Sequence, residues 1–410
     1  MPLCHLHTSV SVTAFFRITD MKMSEKSRSF KYFSKFSGFT VAAAKQKCII
    51  SSSESCYLPE MDPGIWSRLP PELLDHVLSF LPLRTYFSLR STCKRFDSLL
   101  HSPCFVSKHS DSSFSSFLLL AHPQCFSQFP LYDSALGTWR RLPLSLSVPL
   151  LSATPSTALL SIADGLACFS LRNSCSFVVC NFLTKSSRLI EFPYHPFRFE
   201  LLTLVSVPLG YKIFTLFADS ALVFDSRDHW WRKFNNFEAI LGDNHRQEAA
   251  CYNGHLYFVT PKPFSIVSFD LDSGEWEVID IVMPEELTFV RLVSDGDRKL
   301  YMIGGTGRNG ISRRLRLWEL SEEGNWAEVE SVPQMFCKKF MSICYHNYEH
   351  VYCFWHQGTI CVCCYTWPEI LYYRFCRRSW HWVPKCPSLP ERWSCGFRWF
   401  SFVPQLYASA

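Results

Sequence analysis

The feature that most restricts what this chain can fold into is a spaced aromatic figure. Tyr132-Asp133 is followed by Trp139, Phe224-Asp225 by Trp231 and Phe269-Asp270 by Trp276, with six residues between aromatic and tryptophan each time. Trp318 and Trp326 repeat the figure with one extra residue, Cys180-Asn181 followed by Arg188 is a degenerate copy, and the Trp380/Trp382 region is a looser one. The closing positions 139, 188, 231, 276, 326 and 382 lie 43 to 56 residues apart. Each unit opens alike, with a turn and then a strand, as in Asp164-Gly165-Leu166-Ala167-Cys168-Phe169, Asn253-Gly254-His255-Leu256-Tyr257-Phe258 and Lys299-Leu300-Tyr301-Met302-Ile303-Gly304-Gly305. Asn-Gly between apolar runs is a strong hairpin signal, and Asp270-Leu271-Asp272-Ser273-Gly274 reads as a second turn feeding the strand of Trp276. Four short strands per unit, repeated at this period, predict a β-propeller, whose radial closure leaves few exposed edges. Six units over residues 114–404 give six blades, with seven as the alternative. The repeated aromatics are then wedges between blades, serving architecture rather than chemistry.

Ahead of the repeats the pattern is helical. Pro70 and Pro71 sit where a helix starts, because proline fixes φ and needs no amide donor in the first turn. Leu73, Leu74, Val77, Leu78 and Leu81 then form one broad apolar stripe, which Pro82 ends. Thr85 is expected to cap a second helix carrying Phe87, Leu89, Cys93, Phe96, Leu99 and Leu100, and Pro103 closes the segment. A unit of ~45 residues is too small to bury a self-sufficient core. Leaving Leu74, Val77, Leu78 and Leu81 wet would forfeit ~1.5–3 kcal/mol each, so a partner surface is expected, with packing on the propeller as the alternative. Residues 1–60, with eleven serines and no sustained periodicity, read as a disordered Ser/Lys-rich tail.

Charge excludes some partners. Of the net +5, most lies in residues 1–60, and the near-neutral remainder carries no electrostatic footprint for nucleic acid. Apolar runs such as Phe117-Leu118-Leu119-Leu120-Ala121 fall far short of the ~18–20 residues of a membrane span. Cys4-His5-Leu6-His7-Thr8 lacks a basic start followed by an apolar block. Nineteen cysteines without a framework fit free thiols in a reducing compartment. An intracellular protein of nucleus or cytoplasm, touching neither nucleic acid nor membrane, is expected.

The segment Leu69-Pro70-Pro71-Glu72-Leu73-Leu74, Val77-Leu78-Ser79-Phe80-Leu81-Pro82, Leu89-Arg90-Ser91-Thr92-Cys93-Lys94-Arg95-Phe96, Leu99-Leu100 and Ser102-Pro103-Cys104-Phe105 resembles the F-box, over residues 62–108. It departs from the family at Phe96, usually Trp, and Thr92, often Val; both replacements keep bulk or β-branching. Gly304-Gly305 and the aromatic spacing look like kelch repeats. Together the arrangement resembles plant F-box/kelch-repeat proteins, an all-α F-box followed by an all-β kelch-type propeller. The resemblance implies a non-catalytic substrate receptor of a Skp–cullin–F-box ubiquitin ligase. Leu69, Pro70, Leu73, Leu74, Val77, Leu78, Leu81, Pro82, Leu89, Cys93 and Phe96 would dock on a Skp-type adaptor, and through it on cullin and RING subunits. The propeller would hold a target protein. The alternatives are an F-box protein that sequesters partners without turnover and, from another class, a ligand-binding or enzymatic propeller.

No cofactor or metal is expected. Cys353, Cys361, Cys363 and Cys364 are the obvious metal candidate. If Gln357-Gly358 is a two-residue turn, however, Cys353 and Cys364 share one sheet face while Cys361 and Cys363 share the other, and ligands split two and two cannot close a tetrahedral site. Gly304-Gly305-Thr306-Gly307-Arg308-Asn309-Gly310 lacks the Lys-Ser/Thr pair of a phosphate loop and is expected to form a flexible blade loop. Arg308, Arg313, Arg314 and Arg316 are the candidate target contacts, since arginine forks fit acidic or phosphorylated segments. The plain reading is a charged blade edge that blocks edge-to-edge pairing.

Overall fold

Six four-stranded antiparallel sheets stand in sequence along the chain, and each is one blade of a six-bladed propeller. The computed structural model describes residues 68–81, 93–99, 102, 104–105, 116–125, 128–143, 157–217, 220–234, 247–296, 298–387, 389 and 395–410. The tail expected over 1–60 lies outside them, as do Pro82, Thr85, Phe87, Leu89, Leu100 and Pro103. The first blade combines β1 (Phe117–Ala121), β2 (Gln128–Asp133) and β3 (Thr138–Pro143) with the last strand of the chain, β24 (Arg398–Phe402). The second runs from β4 (Thr157–Ala163) through β5 (Leu166–Leu171) and β6 (Ser176–Asn181) to β7 (Ser187–Glu191). The third holds β8 (Leu202–Val207), β9 (Gly210–Phe217), β10 (Ser220–Asp225) and β11 (Trp230–Phe234), the fourth β12 (Ala250–Tyr252), β13 (His255–Val259), β14 (Ile266–Asp270) and β15 (Trp276–Ile279). The fifth holds β16 (Leu287–Ser294), β17 (Leu300–Arg308), β18 (Ile311–Leu320) and β19 (Trp326–Ser331), the sixth β20 (Val351–His356), β21 (Thr359–Cys364), β22 (Trp367–Arg374) and β23 (Ser379–Trp382).

The hydrophobic core lies between blades. One apolar cluster fills each of the six interfaces, from Leu119, Phe129 and Phe169 between the first two blades to Leu118, Cys363 and Trp399 between sixth and first. Middle strands therefore face apolar neighbours on both sides, and β6 and β10 are buried at every position. Outer strands are half wet, as in the exposed-and-intermediate pattern of β11.

The repeat figure is a cross-strand pair between the third and fourth strands. Tyr132 faces Trp139, Phe224 faces Trp231 and Phe269 faces Trp276, with ring centroids 5.0, 5.4 and 4.7 Å apart. The Asp after the aromatic caps the turn: Asp133 Oδ1 accepts from the amides of Ala135 and Leu136, and Asp270 Oδ1 from those of Asp272 and Ser273. Three blades differ from the sequence reading. In the second, Cys180 faces Ser187 and Arg188 faces Val179, so the unit closes at Ser187 rather than Arg188. In the sixth, Tyr373 faces Trp380 at 5.1 Å, so the full spacing is present there and closes at Trp380 rather than Trp382, with Arg374 in the aspartate position. In the fifth, Trp326 faces Leu320 and Trp318 stands opposite Glu328 in unbroken register, so the two tryptophans are not partners; the register shift falls after them, between Trp318 and Leu317.

The glycine-rich stretch 304–310 is strand, not flexible loop. β17 continues to Arg308 and only Asn309-Gly310 turns, both at positive φ. The glycines are there because the blade is crowded: a Cβ at Gly305 would stand 2.2 Å from Ser312 Oγ and 2.6 Å from Phe289 Cε1.

Among the described residues, α1 (Pro71–Ser79) and α2 (Lys94–Ser98) precede the propeller, and α3 (Gln334–Cys344) joins the fifth blade to the sixth. His356, at the end of β20, is buried, and its ring bridges Ser134 Oγ at 2.7 Å and Ser401 Oγ at 2.9 Å. Burial lowers its pKa to about 4, so the ring is neutral in the folded protein. The unfolded chain takes up that proton near pH 6.5 and the folded one near 4, so stability held above pH 6.5 is lost as pH falls through this window. We expect about 3 kcal/mol of unfolding free energy to disappear over that span by this group alone. Denaturant unfolding of His356→Gln, measured from pH 7 to 4, should show a correspondingly flatter dependence; a slope equal to that of wild type would contradict it.

Candidate functional site

α1 starts where Pro70 and Pro71 place it and carries two apolar rows. Leu78 is 5% exposed and packs in a cluster with Leu99, Phe105 and Leu406, against which Leu74, Leu81 and Phe96 also lie. Leu73, Val77 and Phe80 face the other way, at 52%, 38% and 70% exposure. The stripe expected as one partner surface is thus divided. Packing within the chain takes Leu78, and the free row gains Phe80, which periodicity alone does not single out. Arg95 holds α2 against α1 by an Nη2 bond to Asp75 Oδ1 at 2.8 Å and to the Pro71 carbonyl at 3.1 Å. Cys93 is exposed and caps α2, its sulfur accepting from the Phe96 amide, and Leu69 and Pro70 lie at the entrance to α1. Pro82 and Leu89 are outside the described residues.

The propeller has two distinct ends. The first strand of every blade runs in the same sense, so turns after first and third strands gather at one end, including Asp164-Gly165, Asn253-Gly254 and Gln357-Gly358. Turns after second strands, and the connections between blades, gather at the other. The helical segment sits at the turn end: Leu183, in the turn after β6, and Leu406, beyond β24, both belong to its cluster. The connection end carries α3, the β17–β18 hairpin tip and a groove of about 650 Å³. Thr260–Phe264, the start of β16 and Tyr345–Glu349 line that groove. Tyr345 and His346 adopt φ of 49° and 56° in succession, and Tyr345 is 85% exposed. Two adjacent left-handed residues without glycine are a strained arrangement of the kind found at binding sites. Arg291, buried beneath the groove, spends its guanidinium on the carbonyls of Val290, Tyr348 and Val351, and burial lowers its pKa to about 10.

The four candidate arginines separate. Arg308 pairs with Glu286 at 2.9 Å and Arg316 with Glu328 at 3.0 Å. Arg313 and Arg314 are exposed on β18 and have no carboxylate partner among the described residues. Arg314 and Arg316 share a sheet side as expected, opposite the buried Leu315 and Leu317. Arg313 lies beside α3, its carbonyl accepting from Cys337 Sγ.

The axis is closed by three residues that the sequence did not mark. Glu248 accepts from Ser161 Oγ at 2.6 Å and pairs with Arg398 at 3.3 Å; Gln247 reaches the Leu292 and Cys353 carbonyls and accepts from the Cys353 amide; the Ala249 amide donates to Thr203 Oγ1. One segment of the fourth blade thereby bonds to the inner strands of the other five. Desolvation raises the Glu248 pKa, although Arg398 and Ser161 pull it down; about a quarter of its side chain borders an axial cavity of about 250 Å³.

In the cysteine hairpin, Gln357-Gly358 is the two-residue turn expected, and the thiols divide as predicted. Cys353 and Cys364 point into the core between the fifth and sixth blades, Cys361 and Cys363 into that between the sixth and first. No cluster of three or more metal-binding side chains occurs among the described residues.

The F-box domain family model matches residues 66–108. An Arabidopsis thaliana F-box/kelch-repeat protein is 54% identical over 364 residues, covering 85% of this chain and 89% of that protein. F-box only protein 6 of the same plant is 26% identical, covering 80% of this chain and 71% of that protein. The protein UNUSUAL FLORAL ORGANS, also of Arabidopsis, is 24% identical over 80% of each chain. Among the described residues no helix is long and apolar enough to cross a membrane.

Burial pushes the Cys353 and Cys361 thiols up to about 12 and Cys363 well above its usual range. Only thiolate is alkylated. Iodoacetamide at pH 8 should therefore label the exposed Cys376 and Cys395 while sparing these three until denaturant is added, as peptide mass spectrometry would read. Native labelling of Cys353 or Cys361 at the rate of Cys376 would contradict the burial.

Proposed function

The chain belongs to the plant F-box/kelch-repeat family, and from that premise we propose that it is a substrate-recognition subunit of a Skp–cullin–F-box ubiquitin ligase. The observation that carries this reading is the outward row Leu73 and Val77 on α1 with Phe80 at its C-terminal cap. A large apolar row left in water beside a filled core is the mark of a protein partner, here a Skp-type adaptor. Through the adaptor the chain joins cullin and RING subunits, which do the transfer chemistry. This subunit supplies proximity and orientation and is not itself the catalyst.

The target docks on the connection end of the propeller. With the F-box held at the turn end, this opposite face presents the groove of about 650 Å³, the exposed Tyr345, and Arg313 and Arg314, which have no carboxylate partner among the described residues. Aromatic and arginine side chains are the usual anchors of protein interfaces, so Arg313 and Arg314 remain target contacts, while Arg308 and Arg316 are engaged by Glu286 and Glu328. A receptor that only sequestered its partner would make the same adaptor contact, and ubiquitin chains on bound target separate the two.

The test is co-purification of the full chain with a Skp-type adaptor beside Leu73→Asp/Val77→Asp, which leaves the buried Leu78 intact. A carboxylate buried in an interface costs several kcal/mol, so capture should weaken by about a hundredfold or more. Undiminished capture by the double variant, with its propeller folded, would overturn the assignment of this row. No capture by wild type would overturn the receptor reading itself.

A further inference from the structure

The degenerate second repeat has a reason. Where the first, third and fourth blades have Asp133, Asp225 and Asp270 at the end of their third strands, the second has Asn181. Asn181 Oδ1 does what the aspartates do, accepting from the Leu183 amide at 2.9 Å. Its Nδ2 does what no carboxylate can. It donates to the carbonyls of Gln405 at 2.7 Å and Ala408 at 2.8 Å, in the tail that follows β24. Gly165 clears the path of that tail, since a Cβ there would stand 2.7 Å from the Gln405 nitrogen. Ala408 and Ala410 pack onto the core between the second and third blades. Between these anchors Leu406, 3% exposed, inserts among Leu78, Leu99 and Phe105.

From this geometry we infer that the C-terminal tail is a working member of the F-box module: Asn181 fixes residues 405–408 to the propeller so that Leu406 completes the core on which α1 stands. The tail does not close the ring, because β24 pairs with β1 ahead of it. It instead sets how firmly the row Leu73, Val77 and Phe80 is presented, and the consequence for adaptor binding rests on the reading above.

Asn181→Asp isolates the effect. It keeps the turn acceptor, uses the residue three other blades have at this place, and turns a donor facing two carbonyls into a repelling oxygen. Amide hydrogen exchange of the full chain should then accelerate about tenfold or more in residues 405–410 and in 73–81, with 117–133 unchanged. Leu406→Ala, which leaves the Asn181 bonds in place, should accelerate exchange in 73–81 by a similar factor, because it opens a cavity in the same cluster. Adaptor affinity should fall in both variants. Unchanged exchange of 73–81 in both would overturn the inference, whether or not an adaptor binds. If exchange in 73–81 rises as expected while wild type captures no adaptor, the module stands and the receptor reading falls.

Discussion

Everything in this molecule depends on one strand pairing, that of Arg398–Phe402 with Phe117–Ala121. Five residue pairs join the two ends of the propeller sequence into a single blade. Without them the first blade would lack its inner strand, and the cores on either side of it would open. Closing a loop of nearly three hundred residues costs only slowly growing entropy, while the closure buries Trp399, Phe400 and Phe402 in two adjacent cores. Closure also delivers the chain's last residues to the turn end, where the helical segment is found. Ring closure and F-box docking are therefore consecutive consequences of the same stretch of chain.

The axis reinforces this closure by polar means. Gln247, Glu248 and Ala249 satisfy groups on the inner strands of five blades, so the ring is tied both at its seam and at its centre. His356 ties the seam again, joining the sixth blade to Ser134 and Ser401 of the first. The axial groups form a part-buried network around the axial cavity, an arrangement in which polar residues specify a single packing.

Fold and blade number were legible because the cross-strand aromatic pair and the turn after it recur at fixed spacing, and turn chemistry is local. The reading failed where a neighbour replaced the signal. Arg374 in the aspartate position concealed the Tyr373–Trp380 pair, and Trp318 and Trp326 looked like partners although Trp326 faces Leu320. Gly304 and Gly305 looked like a loop because crowding by Phe289 and Ser312 comes from other strands. The α1 stripe was visible, but not its division. Leu78 packs inward against Leu99, Phe105 and Leu406, the last more than three hundred residues away. The axial segment left no periodic trace at all, since its partners lie on five separate strands.

In the proposed receptor a Skp-type adaptor is held at the turn end of the propeller, leaving the connection end for a target. Amide hydrogen exchange of the full chain with and without a Skp-type adaptor tests it most directly. Protection is expected across residues 71–81, with 260–265 and 345–349 unchanged. Protection confined to those connection-end loops, or none anywhere on the chain, would contradict it.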